Sequence, residues 1–443
     1  MSQEAAAGAL PLAEPIEART MAKVTRRLIP FLVLLYFVAF LDRVNVGFAA
    51  LTMNKDLGFS ATVFGTGAGI FFLSYVIFEI PSALVQGRVG ARRWIARIMV
   101  TWGLVAAGMA FVTGETSFYV MRFLLGAAEA GFAPGILFYT LSWFPDQHRA
   151  KLIGLYLIAI PLSSFLGAPL STLIIETMGG LAGLAGWQWM FIIEGLMAVV
   201  LGIACLWYLT ERPADATWLE ADERAWLTQR IAVEAKAREV GAQHRLADIF
   251  VNPGILALTI SYTFLILGLY GLGFWLPQIV RGLGFTGMQT GYVAALPYLF
   301  ATIAMVVWAR RSDAAAERLW HTVLPAALAG IGLILAGLFL DAPLGAIAAF
   351  TIAAVGIYAV LPVFWSLPAL FMSGTVAAGG IAFINSVSNL GGYFGPTLMG
   401  WFKDGTGSFS GALIVLGCAV LLAAAVLFVS IRHLLAGSSG RAA

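Results

Sequence analysis

The chain has 443 residues, 60% of them hydrophobic and only 11% charged, with a mean hydropathy of +0.90 and a net charge of +3. Soluble domains carry roughly 25% charged residues, so the composition excludes a soluble enzyme or a nucleic-acid-binding domain and indicates an all-α, polytopic membrane protein. Both cysteines, Cys205 and Cys418, lie in apolar runs, which leaves no disulfide framework and no metal-ligand spacing.

Met1 to Thr20 lacks the apolar core of a cleavable signal peptide. Met1 to Thr20 is expected to be disordered, within a cytoplasmic N-terminal tail over residues 1–27. Apolar runs between charged or Gly/Pro breaks then predict twelve transmembrane helices. They fall near 28–53, 62–86, 94–113, 117–140, 150–174, 187–210, 252–280, 287–309, 320–340, 344–370, 376–402 and 409–434. The expected units are a six-helix bundle over 28–210, a cytoplasmic linker over 211–250, a second six-helix bundle over 251–435 and a tail over 436–443. Within the linker, Trp218–Arg238 has the spacing of an amphipathic surface helix.

Alternate loops beginning with the N-terminus hold 21 Lys and Arg, whereas the opposite loops hold three, Lys55, Arg281 and Lys403. The positive-inside rule then places both termini and the linker in the cytoplasm. The halves also echo each other. GARRWIARI (Gly90–Ile98) returns as AERLWHTV (Ala316–Val323), and SSFLGAPL (Ser163–Leu170) returns as GGYFGPTL (Gly391–Leu398), about 226 residues later. Two echoes at nearly one offset predict two six-helix pseudo-repeats, an architecture that holds substrate near the midplane between halves.

Charges at depth are few, and all fall in the first half: Asp42, Arg43, Glu79, Arg122, Glu129 and Glu194. Each costs roughly 2.5–3.5 kcal/mol at a span's centre on insertion scales, so each must pair, face a cavity or function. A rise of about 1.5 Å per residue puts Asp42 and Glu129 at one level, roughly 16–18 Å from the outer face, with Arg43 beside them and Arg122 higher. Arg122, Gly126 and Glu129 share one helical face. Two arginines at similar depth make a fork suited to a carboxylate, whereas a purely structural pair would be nearly neutral for stability. Glu79, near a helix end, reads as a gating or structural contact. Glu194 is open to either role and is grouped with it, as are Arg92 and Arg93 in the basic turn after the second span. The sequence has no GxxxxGK[ST] for ATP, no midplane histidine and no nucleophile–base set, so no enzyme activity and no cofactor is expected.

Six segments of the first half resemble the anion:cation symporter family of the major facilitator superfamily. They are FLDRVNVGFA (Phe40–Ala49), SYVIFEIPSAL (Ser74–Leu84), RVGARRWIARI (Arg88–Ile98), MRFLLGAAEAGFAPG (Met121–Gly135), WFPDQHRAKLIG (Trp143–Gly154) and GWQWMFIIEG (Gly186–Gly195). In the second half GFWLPQIV (Gly273–Val280) and INSVSNLGGYFGP (Ile384–Pro396) resemble it too. The resemblance implies proton-coupled import of a small organic anion by alternating access in a bacterial inner membrane, by a monomer. It implies that Arg43 and Arg122 engage the substrate carboxylate, that Asp42 and Glu129 carry protons, and that Tyr75, Ser366 and Asn389 supply polar substrate contacts. The family's bacterial members suggest tartrate or a related hydroxy or sugar acid. Ile160 and Pro161 stand where sugar-acid permeases commonly have an amide, which leaves an aromatic, phthalate-like carboxylate as the alternative. A channel-like facilitator without proton coupling is the reading from another class.

Overall fold

The structure is a computed structural model that describes residues 10–240, 252–368 and 374–439. Among these residues there are helices and turns but no strands. The first half comprises α1 (Leu10–Val44), α2 (Val46–Leu57), α3 (Ala61–Val89), α4 (Ala91–Gly108), α5 (Glu115–Glu129), α6 (Phe132–Trp143), α7 (Asp146–Met178) and α8 (Gly186–Tyr208). The linker helix α9 (Ala221–Val240) follows. The second half comprises α10 (Pro253–Gly282), α11 (Met288–Ala315), α12 (Leu319–Leu338), α13 (Pro343–Phe364), α14 (Gly374–Ser388), α15 (Gly391–Thr406) and α16 (Ser410–Ser439).

Among the described residues, eleven stretches are long and apolar enough to cross a membrane, and α1–α2 and α5–α6 each count as one of them. The segment α14–α15 makes the twelfth crossing, which gives two six-helix halves. Asn45, between α1 and α2, keeps helical backbone angles, so the first crossing is nearly a continuous rod. The fourth crossing is interrupted. Ala130 turns extended and Gly131 takes φ 88°, a left-handed angle that glycine adopts without a side-chain clash. The sequence expectation of a single helix over 117–140 missed this break, which falls next to Glu129. Irregular backbone at membrane depth is tolerated where protein covers it, and Ala130 is fully buried.

The N-terminal tail expectation is corrected in part. Residues 10–27 continue α1 as helix, while residues 1–9 lie outside the described residues. Ion pairs hold this extension against the linker. Arg19 reaches Asp222 at 2.6 Å and Glu223 at 2.9 Å, and Lys23 reaches Glu220 and Glu223, each at 2.8 Å. The linker helix begins three residues later than expected, and α16 runs past 435 to Ser439.

The halves meet tightly at the face opposite the termini. A side chain at Gly65 of α3 would strike the Pro396 carbonyl of α15, and one at Gly291 of α11 would meet Thr172 Oγ1 at 2.6 Å and the Ala168 carbonyl at 3.0 Å on α7. These glycines stand at the same separation as the sequence echoes, and their partners lie within or just beyond SSFLGAPL and GGYFGPTL. The internal repeat is thus written into the two helix pairs that seal this face, where small residues let backbones close up. Asp404 of α15 adds a polar clasp, accepting hydrogen bonds from the Ala61 amide at 3.1 Å and the Thr62 amide at 2.7 Å at the start of α3.

Candidate functional site

Among the described residues, the six acidic and basic side chains expected at membrane depth in the first half are all buried: Asp42, Arg43, Glu79, Arg122, Glu129 and Glu194. The fold divides them into three groups.

The first group centres on Arg43. Its Nη2 is paired with the Glu129 carboxylate and its Nη1 donates to the Tyr270 hydroxyl of α10 at 3.0 Å. The guanidinium lies 4.8–5.3 Å from the ring centroids of Phe40, Phe71 and Tyr75. Arg43 therefore joins three elements, α1, α5 and α10, and its contact with Tyr270 crosses between the halves. Its Nε finds no partner. Cation–π contacts are worth more in such dry surroundings than at exposed sites.

Arg122 lies behind this group and is 0% exposed. Its Nε and Nη2 donate to the Gly67 and Ala68 carbonyls of α3 at 3.3 and 3.0 Å, and its Nη1 has no partner. Both guanidiniums lie against the Phe71 ring, Arg122 at 5.1 Å. In this conformation they do not form an open fork, because Arg122 spends its donors on backbone. Gly126 lets α5 press against Phe71 and Ser74 of α3, so its missing side chain serves helix packing.

The second group lies on the other side of α1. Asp42 accepts from the Trp102 indole of α4 at 2.7 Å and makes no bond to either arginine. Asn45 Nδ2 bridges Asp42 at 3.4 Å and Glu194 of α8 at 2.9 Å, and Ser171 of α7 donates to Glu194 at 2.7 Å. Asp42 and Arg43 are adjacent in sequence, and a helix sends neighbouring side chains about 100° apart. Asp42 therefore takes no part in the arginine cluster, although it lies beside Arg43 in the sequence.

The third group is Glu79. It accepts from Asn385 at 3.0 Å and Ser386 at 2.6 Å on α14, a contact between the halves. Of the remaining candidates, Tyr75 packs beside Arg43, whereas Ser366 and Asn389 bond to carbonyls of their own segments, Val363 and Asn385. Arg92 and Arg93 sit at the start of α4, where Glu211 caps the Ala91 and Arg92 amides at 2.6 and 3.1 Å. Sequence reasoning did not select Tyr270, Asn45, Trp102 or Ser171. A buried tyrosine or asparagine carries no charge to mark it as costly in lipid. Among the described residues, no group of three or more His, Cys, Asp or Glu could hold a metal ion.

The Major Facilitator Superfamily profile matches residues 32–396. A protein of Agrobacterium vitis described as "Putative tartrate transporter" is 50% identical, with 94% of this chain and 96% of that one covered. NicT of Pseudomonas putida, described as "Putative metabolite transport protein", is 43% identical over 90% of this chain and 92% of its own length. A bacterial homologue of the human lysosomal transporter Spinster, crystallised inward-facing and unoccupied, aligns with a TM-score of 0.74 at 16% identity, covering 97% of this chain and 98% of its own. That likeness concerns the fold.

Proposed function

Since the chain belongs to the Major Facilitator Superfamily of membrane transporters, we propose that it imports a small organic anion together with protons by alternating access. The observation that carries this reading is the Arg43–Glu129 pair at the junction of α1, α5 and α10. A permanent cation held by an acid that can take up a proton is a switch. With Glu129 ionised, Arg43 is neutralised and its donors are taken. Once Glu129 is protonated, Arg43 is free to bind a carboxylate in a charge-assisted, bidentate manner. Proton and anion then favour each other's binding, which is thermodynamic coupling. Arg122, with Nη1 unpartnered and its guanidinium against the same Phe71 ring as that of Arg43, is the second cation the substrate meets when the halves separate.

Carrying one negative charge inward against an inside-negative potential costs about 2.3 kcal/mol per 100 mV. One proton per substrate charge removes that cost. In this scheme the termini and α9 lie in the cytoplasm of a bacterium, the protein sits in the inner membrane, and it works as a monomer. The likeness to the Agrobacterium protein supports a hydroxy acid such as tartrate. A second reading is favoured by the rings of Phe40, Phe71 and Tyr75 packed around Arg43: these suit a planar aromatic carboxylate. Purified protein screened by thermal shift against aliphatic and aromatic organic acids separates the two, because a ligand of the folded state raises its stability. Uptake into proteoliposomes with an imposed inward proton gradient then tests the coupling. Uptake indifferent to that gradient would return the protein to uncoupled facilitation.

A further inference from the structure

Asp42 and Glu194 are both buried, at 2% and 0% exposure, and neither is paired with a cation. Their partners are neutral: the Trp102 indole, the Asn45 amide and the Ser171 hydroxyl. The charged and titratable groups that face the pair are already engaged. Arg43 on α1 is paired with Glu129, and the Glu129 carboxylate on α5 lies within electrostatic reach of Asp42. Glu79 on α3 is bonded across to α14. At depth in the first half, the guanidiniums of Arg43 and Arg122 thus stand against the four carboxyls of Asp42, Glu79, Glu129 and Glu194. Two ionised carboxyls bridged by one neutral amide, in so low a dielectric, repel each other without compensation.

The amide itself supplies a second, independent observation. Asn45 is 1% exposed, its Oδ1 has no hydrogen-bond partner, and its Nδ2 stretches to 3.4 Å to serve Asp42 while also serving Glu194. Which end of an asparagine amide is oxygen is an assignment made from its hydrogen bonds. An arrangement that satisfies all three groups exists when one carboxyl carries a proton. The amide N–H then donates to the ionised acid, and its oxygen accepts the O–H of the protonated one.

We infer that Asp42, Asn45 and Glu194 form a proton-holding site in which the two carboxyls share one proton across the Asn45 amide. Glu194 is thereby a partner in proton storage, distinct from the Arg43–Glu129 switch. No bond other than O–H is made or broken: a proton leaves one carboxyl oxygen, the other carboxyl takes up one, and the amide changes which partner it donates to. The inference deepens the proton-coupled reading, and its decisive readout needs no substrate.

The experiment is infrared spectroscopy of the purified, lipid-reconstituted protein across pH, following the carbonyl band of protonated carboxyls in the wild type, Glu194→Gln, Asp42→Asn and Ser171→Ala. Interacting acids lose their protons in separate macroscopic steps. The wild type is expected to show a step that both Glu194→Gln and Asp42→Asn delete. In Glu194→Gln the remaining Asp42 step should move acidward by about one pH unit or more, tenfold in proton concentration. Ser171→Ala, which keeps both acids but removes a donor to the ionised form, should move the step toward alkali and serves if Glu194→Gln fails to fold. An unchanged midpoint in Ser171→Ala together with an unchanged Asp42 step in Glu194→Gln would overturn the inference. Uptake assays on the same samples keep the two readings apart. Shifted infrared steps with no proton-driven uptake uphold the proton site and reject the transport coupling. Proton-driven uptake with unmoved steps does the reverse.

Discussion

Arg43 makes an ion pair, a hydrogen bond across the halves and three aromatic contacts at once. Arg43→Ala is expected to abolish the ligand-induced thermal shift while the protein remains monodisperse. Arg122→Ala should do the same, although it also removes two bonds to α3 backbone and so lowers the midpoint of unfolding. A ligand shift of wild-type size in either variant would leave that arginine a structural role. Glu129→Gln keeps the side chain's size but cannot cycle a proton. It should bind substrate and exchange it in counterflow, yet lose accumulation under a proton gradient by at least about tenfold, a difference of 1.4 kcal/mol in driving force. Gradient-driven accumulation at the wild-type level would shift the coupling to Asp42 and Glu194. The six charges at depth were legible in the sequence because each violates the composition of its surroundings. Their grouping was not, since Asp42 and Arg43 are neighbours in the chain and point to different partners. Asn45 and Ser171 went unread, and Tyr270 was not singled out, because an uncharged polar residue in an apolar run is ordinary until its partner is known.

At the scale of elements, twelve crossings and the linker helix were legible from apolar run lengths, while the interruption at Ala130–Gly131 was not. Glycine is frequent in membrane helices, and only the extended Ala130 beside a left-handed Gly131 distinguishes a break from a packing site. Two predictions belong here. Gly65→Val places a branched side chain against the Pro396 carbonyl, so the sealed face cannot close. The variant should insert normally, lose uptake, and let a membrane-impermeant maleimide reach a cysteine introduced at Phe274 from the face opposite the termini. Protection equal to the unsubstituted background would show that the contact yields. The second concerns the clasp of α1 to α9. Burial pushes the Glu223 carboxyl up, but hydrogen bonds from Lys23 and the Glu220 amide, with the charges of Lys23 and Arg19, hold it below its ordinary value. A depressed value means the clasp contributes fully above the usual carboxylate range and is lost as pH falls through the lowered value. Amide exchange along Ala221–Val240 should accelerate on that acid side, and Glu223→Gln should show the faster exchange already at neutral pH. Exchange in Glu223→Gln that matches the wild type would mean the helix is held by its apolar face alone.

For the whole molecule, the two-half plan was legible from the charged segment at mid-chain and from the paired echoes, because duplication leaves its trace in the residues that let helices touch. That the halves are closed at this face was not legible, since the echoes mark the helix pairs and not the conformation they adopt. The linker helix packs on α1 and α6, and Glu234 caps the Asp146 amide at 3.0 Å, so α9 travels with the first half. Two polypeptides, residues 1–240 and 245–443, co-expressed in one cell, are expected to assemble and restore at least about half of the intact chain's uptake, measured per assembled pair. Failure to co-purify would mean the join is needed for assembly. Because α9 is held to the first half by its own contacts, the covalent join is expected to matter for delivery more than for motion. What it secures is bookkeeping in the membrane: one first half delivered beside each second half, in order and in equal number.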